Sequence, residues 1–395
     1  MLQLLIIADD FTGALDSGVQ FASLGAKTLV VTEDNYSLLD SDGLDVLIFD
    51  AETRHISQQE AYKKVYNIAK LAKDFNIPYV YKKTDSGLRG NIGAELAGAM
   101  DALGVDEMSF VPAFPKMKRV TINGVHYVDG VPVAESMFGK DPFEPVKHSD
   151  VQEIIAEQTD RTGIRVFDAE TDGDMAAIAG HLGHDGLRLT AGCAGFAGVL
   201  AHVLGFNGKS ADVPGMPGKF FMICGSVNPV TRAQMDYARA KGFKYISLSV
   251  EQKLNPSWPG SAECLSAGRT WLSEISDFNA ILDANDPADE SETDSYIREH
   301  GLTIDEVRLN ISRSVTEAAK AMIDAGLEAR LMCVGGDTLL ALMRAVGVSE
   351  LVPMCEIETG VVLTSFTYNG RKFYIMTKSG GFGESDLLVK LAGEF

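Results

Sequence analysis

The sequence contains few of the features that mark secreted or membrane-inserted proteins. It has five cysteines in 395 residues, an odd number, and none of them form a C-x-x-C pair. Reduced thiols are therefore expected rather than a disulfide framework. No apolar run approaches the 18 residues of a transmembrane helix. The N-terminal apolar run follows no basic segment and ends at Asp9 and Asp10, which indicates a buried strand rather than a signal peptide. We expect a soluble cytoplasmic protein with no membrane partner.

Basic residues are also scarce. Lys and Arg number 35 against 55 Asp and Glu, which gives a formal net charge of −20. Such a chain is a poor general ligand for nucleic acid or for an anionic membrane surface. If the ligand is an anion, the basic residues that bind it must be gathered locally. The hydrophobic share of 46% and the charged share of 23% are typical of a folded globular protein, and the length suggests two domains or one large one.

Several well-defined catalytic motifs are absent. The chain contains no G-x-G-x-x-G, no H-E-x-x-H and no G-x-S-x-G. The sequence Gly208-Lys209-Ser210 is not a phosphate-binding P-loop, because Val203 stands where the upstream glycine is required. His181 and His184 share a predicted helix, but we identify no further ligand that would pair with them in a metal site. We interpret the seven histidines as structural or surface residues.

Strands and helices alternate through the first half of the chain, a pattern that predicts βαβ units around a mostly parallel sheet. A hairpin is predicted around Asp129-Gly130. Ser57 and Glu60 form a capping box that starts the second helix. The predicted strands are Leu2–Ala8, Thr28–Thr32, Val46–Phe49, Tyr79–Lys82 and one that begins at Phe110, and the clearest helices are Thr12–Leu24 and Ile92–Leu103.

A Gly- and Pro-rich segment at residues 207–218 predicts a linker. We therefore expect two α/β domains with mostly parallel sheets, residues 1–207 and 219–395, and a ligand site in the cleft between them. The acidic segment 283–294 holds six acids and no base and is interpreted as a solvated loop. In the second domain we predict strands at Lys219–Cys224 and Leu331–Val334, a helix at Thr338–Val346 and a hairpin at Asn369-Gly370.

Two polar segments follow predicted strands in the first half, where ligands bind in open α/β sheets. In IADDFTGA, the adjacent acids Asp9 and Asp10 could orient a hydroxyl, act as a general base or hold Mg²⁺; the alternative is helix capping by Asp10 or Thr12. The segment YKKTDSGLRGNIG combines basic side chains with glycines before a helix, which suits a carboxylate or phosphate, although an ordinary polar turn is the alternative. Its candidate substrate-binding residues are Lys83, Thr84, Asp85, Ser86 and Arg89.

Further basic residues follow the neighbouring strands. Arg54 comes after the third strand, and Lys116, Lys118 and Arg119 come after the fifth. Cations for a carboxylate and acids for hydroxyl groups are a mixture suited to a small polyhydroxy acid.

Three glycine-bearing turns between a strand and a helix occur in the second half, in CGSVNPVTRAQ, CVGGDTLLALM and TKSGGFGESDLL. Each alone is weak evidence, but together they suggest a nucleotide held by backbone N–H groups. The candidate residues are Ser226, Gly335, Gly336, Asp337, Thr338, Lys378, Gly380 and Gly381.

At these residues the chain resembles the four-carbon acid sugar kinase family. The segments IADDFTGA, AETRHIS and KKTDSGLRGNIG resemble the family's substrate domain, and CGSVNPVTRAQ, VGGDTLLALM and TKSGGFG resemble its nucleotide-binding domain. The motifs run in the family's order from residue 5 to about residue 388. Two positions depart from the family pattern: AGCAGFAGVLA replaces a segment that more often reads GSAGLA, and Gly87 stands where threonine is common.

The resemblance implies a kinase that moves the γ-phosphoryl group of ATP to a hydroxyl of threonate, erythronate or an oxidised relative. It implies that Asp9 or Asp10, Arg54 and the Lys83–Ser86 turn hold the acid, and that Ser226, the Gly335–Thr338 turn and Gly381 hold ATP. In our mechanistic hypothesis Arg54 and Lys83 clamp the substrate carboxylate, and one of Asp9, Asp10 or Asp85 receives or aligns the hydroxyl proton. Mg²⁺ bridges the phosphate oxygens, with protein ligands that the sequence leaves unknown.

Two other functions remain open from the sequence. One is a non-catalytic sensor of sugar acids, which the retained glycine turns oppose. The other is an NAD-dependent oxidoreductase acting on the same acids, which the missing G-x-G-x-x-G opposes. A homodimer is a further expectation, because two-fold pairs are the commonest oligomers.

Overall fold

The chain divides into two compact units. The computed structural model describes residues 2–33, 36–141, 144–216, 218–378 and 380–393. The first unit comprises Met1–Ala211 together with Glu350–Cys355, and the second comprises Asp212–Ser349 together with Glu356–Phe395. Within the described ranges, no helix has both the length and the apolar character needed to cross a membrane. The function-bearing domains predicted at 1–207 and 219–395 stay a prediction.

The first unit is built on a mostly parallel sheet. Its strands are β1 (Leu4–Ala8), β2 (Thr28–Val31), β3 (Val46–Asp50), β4 (Tyr79–Lys83), β5 (Met108–Val111), β9 (Ile164–Val166), β10 (Leu189–Gly192) and the start of β15 (Glu350–Glu358). Their order is β15-β2-β3-β1-β4-β10-β5-β9, and the first strand in that order pairs antiparallel with its neighbour. Its helices are α1 (Phe11–Ala22), α2 (Gln58–Asp74), α3 (Ile92–Leu103), α4 (Val151–Ala156), α5 (Asp172–Gly186) and α6 (Ala194–Val203).

The sheet of the first unit is covered on both faces. The chain moves from β1 through α1 to β2 in one direction, and from β3 through α2 to β4 in the other. Since such crossovers are right-handed, the reversal places α1 and α2 on opposite faces. On the face covered by α2 and α3, Leu, Ile, Val, Phe and Ala side chains form one continuous core that includes Leu5, Phe49 and Leu96. On the other face, α1 buries Phe11, Leu15 and Val19. The α/β fold class with a mostly parallel sheet, predicted from the alternation, is confirmed.

A small antiparallel sheet is inserted after β5. It consists of β6 (Arg119–Ile122), β7 (Val125–Val128) and β8 (Val131–Pro132). The predicted turn at Asp129-Gly130 joins the last two of these strands, and both turn residues have positive φ, 50° and 78°, as this turn type requires. Phe110 and Val111 end β5 rather than begin it.

The second unit is built on six strands, β11 (Lys219–Cys224), β12 (Lys244–Ser247), β13 (Ala280–Asp283), β14 (Ala329–Val334), β16 (Val361–Tyr368) and β17 (Arg371–Lys378). Their order is β12-β13-β11-β14-β17-β16. The last two strands in that order form the predicted antiparallel hairpin at Asn369-Gly370, and the other neighbours are parallel. The helices are α7 (Pro229–Ala240), α8 (Val250–Leu254), α9 (Ala262–Ile275), α10 (Glu290–His300), α11 (Ile304–Asp324), α12 (Gly336–Val346) and α13 (Leu387–Gly393).

The acidic segment 283–294 is not a solvated loop, so that prediction is wrong. Asp283 is the fully buried last residue of β13, and Arg232 forms an ion pair with it. Asp289 accepts a hydrogen bond from Lys253 at 2.7 Å, and α10 begins at Glu290. These acids are accommodated because cations distant in sequence neutralise them or because they lie at a helix N-terminus.

Candidate active site

Three adjacent strand ends bring the predicted acid-sugar residues together in the first unit. β1 pairs with β3 and with β4, in a register that sets Ala8 opposite both Asp50 and Lys83. Asp9 therefore emerges between the two neighbouring strands, and its carbonyl oxygen accepts hydrogen bonds from the N–H groups of Thr53 and Arg54. The site lies at the carboxyl edge of the sheet, where the connections that follow β1 and β3 leave in opposite directions along the sheet. This is the usual ligand position in such sheets.

The charged side chains at this edge form one network of ion pairs. The Arg54 guanidinium Nη2 lies 2.6 Å from Asp9 Oδ2 and 2.8 Å from Asp10 Oδ1. Lys83 Nζ donates to Asp9 Oδ1 at 3.0 Å and to Asp10 Oδ1 at 2.9 Å. The two cations and the two carboxylates thus neutralise one another, and all but the more exposed Asp10 are buried. Asp10 also accepts from Gly13 N–H at 3.1 Å and so caps α1.

The electrostatics of this edge keep the Asp10 carboxylate ionised. Burial by itself raises the pKa of Asp10, but Arg54 and Lys83 outweigh it and hold that pKa well below the usual range. Burial likewise opposes the charge of Lys83, yet Asp10 and Asp9 raise its pKa above the ordinary value. In this ion-paired arrangement the Asp10 carboxylate is a weak proton acceptor and a strong hydrogen-bond acceptor.

A glycine in the first motif makes this network possible. A Cβ at position 13 would lie 1.7 Å from Lys83 Nζ, which is far inside contact distance. The ammonium group therefore occupies the space that a side chain at position 13 would fill. The motif IADDFTGA supplies the two carboxylates, Asp9 and Asp10, and also Gly13, which leaves space for the ammonium group of Lys83.

The turn after β4 holds the remaining predicted substrate residues. Asp85 accepts from Arg89 Nε at 2.7 Å and lies 3.8 Å from Arg54 Nη2, which joins the turn to the network. Burial by itself raises the pKa of Asp85, but the attraction of Arg89 and Arg54 outweighs burial and holds that pKa well below the ordinary value. Thr84 is buried, and its hydroxyl has no hydrogen-bond partner among the described residues. Ser86, partly buried, has its hydroxyl beside the guanidinium of Arg119.

The structure adds residues that the sequence analysis did not assign to the site. Lys82 and Glu95 form a fully buried ion pair at 2.8 Å directly behind it, and Lys82 also donates to the carbonyl of Lys83 at 2.7 Å. Glu95 is an isolated charge in the otherwise apolar first turns of α3, a signal that was readable in the sequence. Of the three basic residues after the fifth strand, only Arg119 contacts the site residues described here, because Lys116 and Lys118 are exposed.

The glycine turns of the second unit also meet at one sheet edge. β11, β14 and β17 are parallel neighbours, so their carboxyl ends present Ser226, the Gly335–Thr338 turn and Lys378 side by side. Gly335 N–H donates to the carbonyl of Lys378 at 3.1 Å. Gly336, Asp337 and Thr338 form the first turn of α12, where free backbone N–H groups favour an anion.

Lys378 is a buried cation within this edge. Its Nζ donates to the carbonyls of Gly380 at 3.2 Å and Phe382 at 3.0 Å and to the hydroxyl of Thr231 at 3.3 Å. Burial lowers its pKa to about 8. The amine therefore changes charge close to neutral pH, where a neighbouring phosphate would favour the charged form.

The turn after β17 packs against the turn after β11. A Cβ at Gly380 would lie 2.8 Å from Ser226 Oγ and 3.0 Å from Asn228 Cβ, so a glycine is needed for this approach. Gly381 lies beside the Asn228 amide. Asp337 is half-exposed and points toward Arg308 at 3.8 Å. Ser379, within the same motif, lies outside the described residues.

A second set of unpredicted residues supports the Ser226 turn. Arg232 Nη2 donates to the carbonyl of Ser226 at 2.8 Å and to Asp283 Oδ1 at 3.2 Å. The Tyr245 hydroxyl also donates to Asp283. The buried carboxylate thus orients Arg232, which in turn fixes the main chain beside Ser226. Within the described ranges, no group of three His, Cys, Asp or Glu side chains has the arrangement of a metal site.

Comparison with known proteins matches both halves of the chain. Residues 4–164 match the model of a sugar-binding N-terminal domain, and residues 221–388 match that of a nucleotide-binding C-terminal domain. The chain is 27% identical to the D-threonate kinase of Salmonella typhimurium over 98% of this chain and 97% of that protein. It is 29% identical to the D-threonate kinase of Bordetella bronchiseptica, over 98% and 96%, and 26% identical to the D-erythronate kinase of Heliobacterium modesticaldum, over 100% and 99%.

Solved structures agree in fold. A Salmonella typhimurium LT2 protein superposes with a TM-score of 0.83 at 21% identity, over 100% of both chains. A Haemophilus influenzae protein of the DUF1537 family gives 0.73 at 20% identity, over 99% of this chain and 100% of that one. At these identities the structures establish the fold, while the domain matches and full-length relatives establish the kinship. The chain belongs to the four-carbon acid sugar kinase family.

Proposed function

We propose that the protein is an ATP-dependent kinase that phosphorylates a hydroxyl of a four-carbon sugar acid of the threonate, erythronate or 3-oxo-tetronate class. The observation that carries the proposal is that one chain has two different sites, each at the carboxyl ends of the parallel strands of one unit. The first unit presents a mixed-charge edge around Asp9, and the second presents adjacent glycine turns around Lys378. The names of the full-length relatives support the same reaction.

In the first unit, the mixed-charge edge suits a polyhydroxy ligand. Carboxylate oxygens of Asp9 and Asp10 accept hydrogen bonds from hydroxyl groups, while Arg54 and Lys83 donate to hydroxyl oxygens. Because the four charges already balance, a neutral hydroxyl can enter the network without adding a buried charge. Thr84 and Ser86 supply further hydroxyls, and Asp85 and Arg89 border the same edge.

The three aspartates are the candidates for handling the proton of the attacking hydroxyl. The low pKa values of Asp10 and Asp85 make both of them weak bases. Phosphoryl transfer through a loose transition state requires alignment of the hydroxyl more than early removal of its proton. We therefore assign to Asp9, Asp10 or Asp85 the role of orienting the hydroxyl and taking its proton late in the reaction.

In the second unit, backbone N–H groups and one lysine suit the phosphates of ATP. The Gly335–Thr338 turn, together with Gly380 and Gly381, offers main-chain donors at the start of α12 and after β17. The ammonium of Lys378 would neutralise charge on the transferred phosphoryl group. Mg²⁺ would be held largely by phosphate oxygens and water, which is usual for this ion with nucleotides. A cytoplasmic location and a homodimer belong to the same proposal.

The test measures ADP release with ATP, Mg²⁺ and a panel of four-carbon sugar acids. The panel holds D- and L-threonate, D- and L-erythronate and their 3-oxo derivatives. Turnover of one member, with a strong loss in D9N and D10N, supports the proposal. ATP binding without turnover of any member would move the substrate outside this class. Absence of ATP binding would overturn the kinase function and favour a sugar-acid sensor.

A further inference from the structure

Among the described residues, the buried or partly buried Lys and Arg side chains around the mixed-charge edge are paired with carboxylates, with one exception. Arg54, Lys82, Lys83 and Arg89 each have a carboxylate oxygen 2.6–3.0 Å from a side-chain nitrogen. Arg119 forms no ion pair within the part of the chain that the structure describes. A substrate carboxylate brought to this edge would have to compete with existing carboxylates for the four paired cations, but not for Arg119.

Arg119 is held in place without being neutralised. It is the first residue of β6, it is partly buried, and its Nη1 donates to the hydroxyl of Ser86. Its Nε is buried and has no hydrogen-bond acceptor among the described residues. Burial lowers the pKa of Arg119 from its ordinary value, since the attraction of Asp85 does not offset it. Arginine nevertheless stays protonated in proteins, so this is a fixed cation with unused donor capacity.

Phe138 fixes the orientation of this guanidinium. The Cζ of Arg119 lies 5.0 Å from the centroid of the Phe138 ring, and the Cζ of Arg89 lies 5.1 Å from the same centroid. Both cations are therefore in contact range of one aromatic ring. A Cβ at Gly87 would lie 2.5 Å from that ring. The ring thus fills the space that a side chain at position 87 would occupy, and it lies within contact range of both guanidinium groups.

His126 fixes Ser86, whose hydroxyl accepts a hydrogen bond from Arg119. The imidazole is fully buried, and its Nε2 lies 3.0 Å from the carbonyl of Ser86, while Nδ1 lies 3.1 Å from the hydroxyl of Thr121. The inserted sheet therefore carries both Arg119 and the histidine that fixes Ser86. A hydroxyl and a guanidinium fixed side by side form a donor pair of the kind that binds a carboxylate.

We propose that Arg119 binds the carboxylate of the sugar acid, with the Ser86 hydroxyl as its second donor. The inference rests on the proposed function, since it takes the substrate to be a sugar acid. It reassigns Arg54 and Lys83 from the carboxylate to the hydroxyl groups, because their charges are already balanced by Asp9 and Asp10. Arg119 would then select an acid over a neutral polyol.

The experiment compares R119Q, R119K and the adjacent surface variant K118Q. Lys118 has a side chain that is 80% exposed, so K118Q removes the same charge one residue away and should behave as wild type. R119Q should raise KM for the sugar acid about 10- to 100-fold, the range expected when a hydrogen bond to a charged group is lost, and leave KM for ATP unchanged. R119K should recover part of the loss, because it restores the charge without the planar fork.

A neutral substrate separates a carboxylate contact from a merely structural role. Wild type should prefer the sugar acid to its neutral amide, and R119Q should lose that preference. If R119Q keeps the wild-type ratio of acid to amide, the carboxylate is bound elsewhere and the inference is overturned. An unchanged KM for ATP in R119Q shows that the protein is folded, and R119K tests the same point with the charge retained.

A failure of the proposed function gives a different result. Wild type would then release no ADP with any acid, and binding of the same acids would be followed by titration calorimetry. Weaker binding to R119Q than to wild type and K118Q would support the Arg119 site. Equal binding by all three proteins, or no binding by wild type, would overturn it.

Discussion

The buried histidine behind the candidate sugar-acid site should make the first unit sensitive to acid. Burial lowers the pKa of His126 from 6.5 to about 4, so the ring is neutral at physiological pH. The neutral form that fits its surroundings donates from Nε2 to the Ser86 carbonyl and accepts at Nδ1 from the Thr121 hydroxyl. Protonation would place a second donor at Nδ1 and a positive charge in a buried site.

The sign and size of the effect follow from the two pKa values. Between pH 6.5 and pH 4 the unfolded chain protonates this histidine and the folded chain does not, so the unfolded state binds more protons. The free energy of unfolding therefore falls as the pH falls through this window. The full difference of 6.5 − 4 in pKa corresponds to about 3 kcal/mol, and about 2 kcal/mol of it is already lost at pH 5.

The assay is urea unfolding of wild type, H126Q and H181Q at pH 8 and pH 5. The free energy lost between the two pH values should be about 2 kcal/mol smaller in H126Q than in wild type. His181 is exposed, so H181Q should follow wild type. Asp50 and Glu95, whose pKa values burial raises, are present in all three proteins and cancel in the comparison.

A direct titration by NMR distinguishes a lowered pKa of His126 from an ordinary pKa near 6.5. The ring C–H signal of His126, identified by its absence from H126Q, should move by only about a tenth of its full titration shift between pH 8 and pH 5 in the NMR spectrum of the folded protein. A midpoint near 6.5, or an equal loss of stability in wild type and H126Q, would refute the reasoning.

Three further predictions concern the glycines and the buried lysine. G87A should lower the free energy of unfolding by about 1–3 kcal/mol, because its Cβ would overlap the Phe138 ring; in urea unfolding, F138L added to G87A should recover part of that loss, and no recovery would contradict the overlap. For Lys378, with a pKa of about 8, kcat/KM for ATP should fall as the pH rises through 8 and the cation is lost, whereas K378R should delay the fall; a wild-type profile that stays level to pH 9.5 would count against a charged lysine. G380A would bring a methyl group to 2.8 Å from Ser226 Oγ and should raise KM for ATP while leaving that for the sugar acid; an equal rise in both would argue against a local effect.

The positions of most strands and helices were predictable because they depend on local patterns. The helix Ile92–Leu103 and the strand Lys219–Cys224 have the predicted bounds. The hairpin at Asn369-Gly370 has the positive φ values, 49° and 73°, that these residues favour. The prediction of a solvated loop at 283–294 is wrong because the neutralising cations are remote in sequence: Arg232 lies 51 residues from Asp283.

The meeting of Asp9, Arg54 and Lys83 was also foreseeable, since consecutive parallel strands end at the same edge. What the sequence could not show is which charges are already matched. Arg54 and Lys83 look like free cations in the sequence, yet both bind Asp9. Arg119 looks like one basic residue among three, and only the packing of Phe138 and Ser86 sets it apart from Lys118. Such distinctions depend on contacts between residues far apart in the chain.

The segment Glu350–Cys355 means that the sheet of the first unit can be completed only late in synthesis. It belongs to the first unit, where Glu350 and Leu351 pair with Val31 and Val30 at the end of β2, and Pro353 lies beside Gly18 of α1. The ribosome must therefore complete about 350 residues before the sheet that began with β1 receives its last strand. Until then the edge of β2 carries unpaired backbone N–H and C=O groups, which can pair with a strand of another chain and cause aggregation. A recombinant fragment that stops at residue 211 would keep that edge open for its whole lifetime, whereas one that includes residues 350–355 on a short linker would close it.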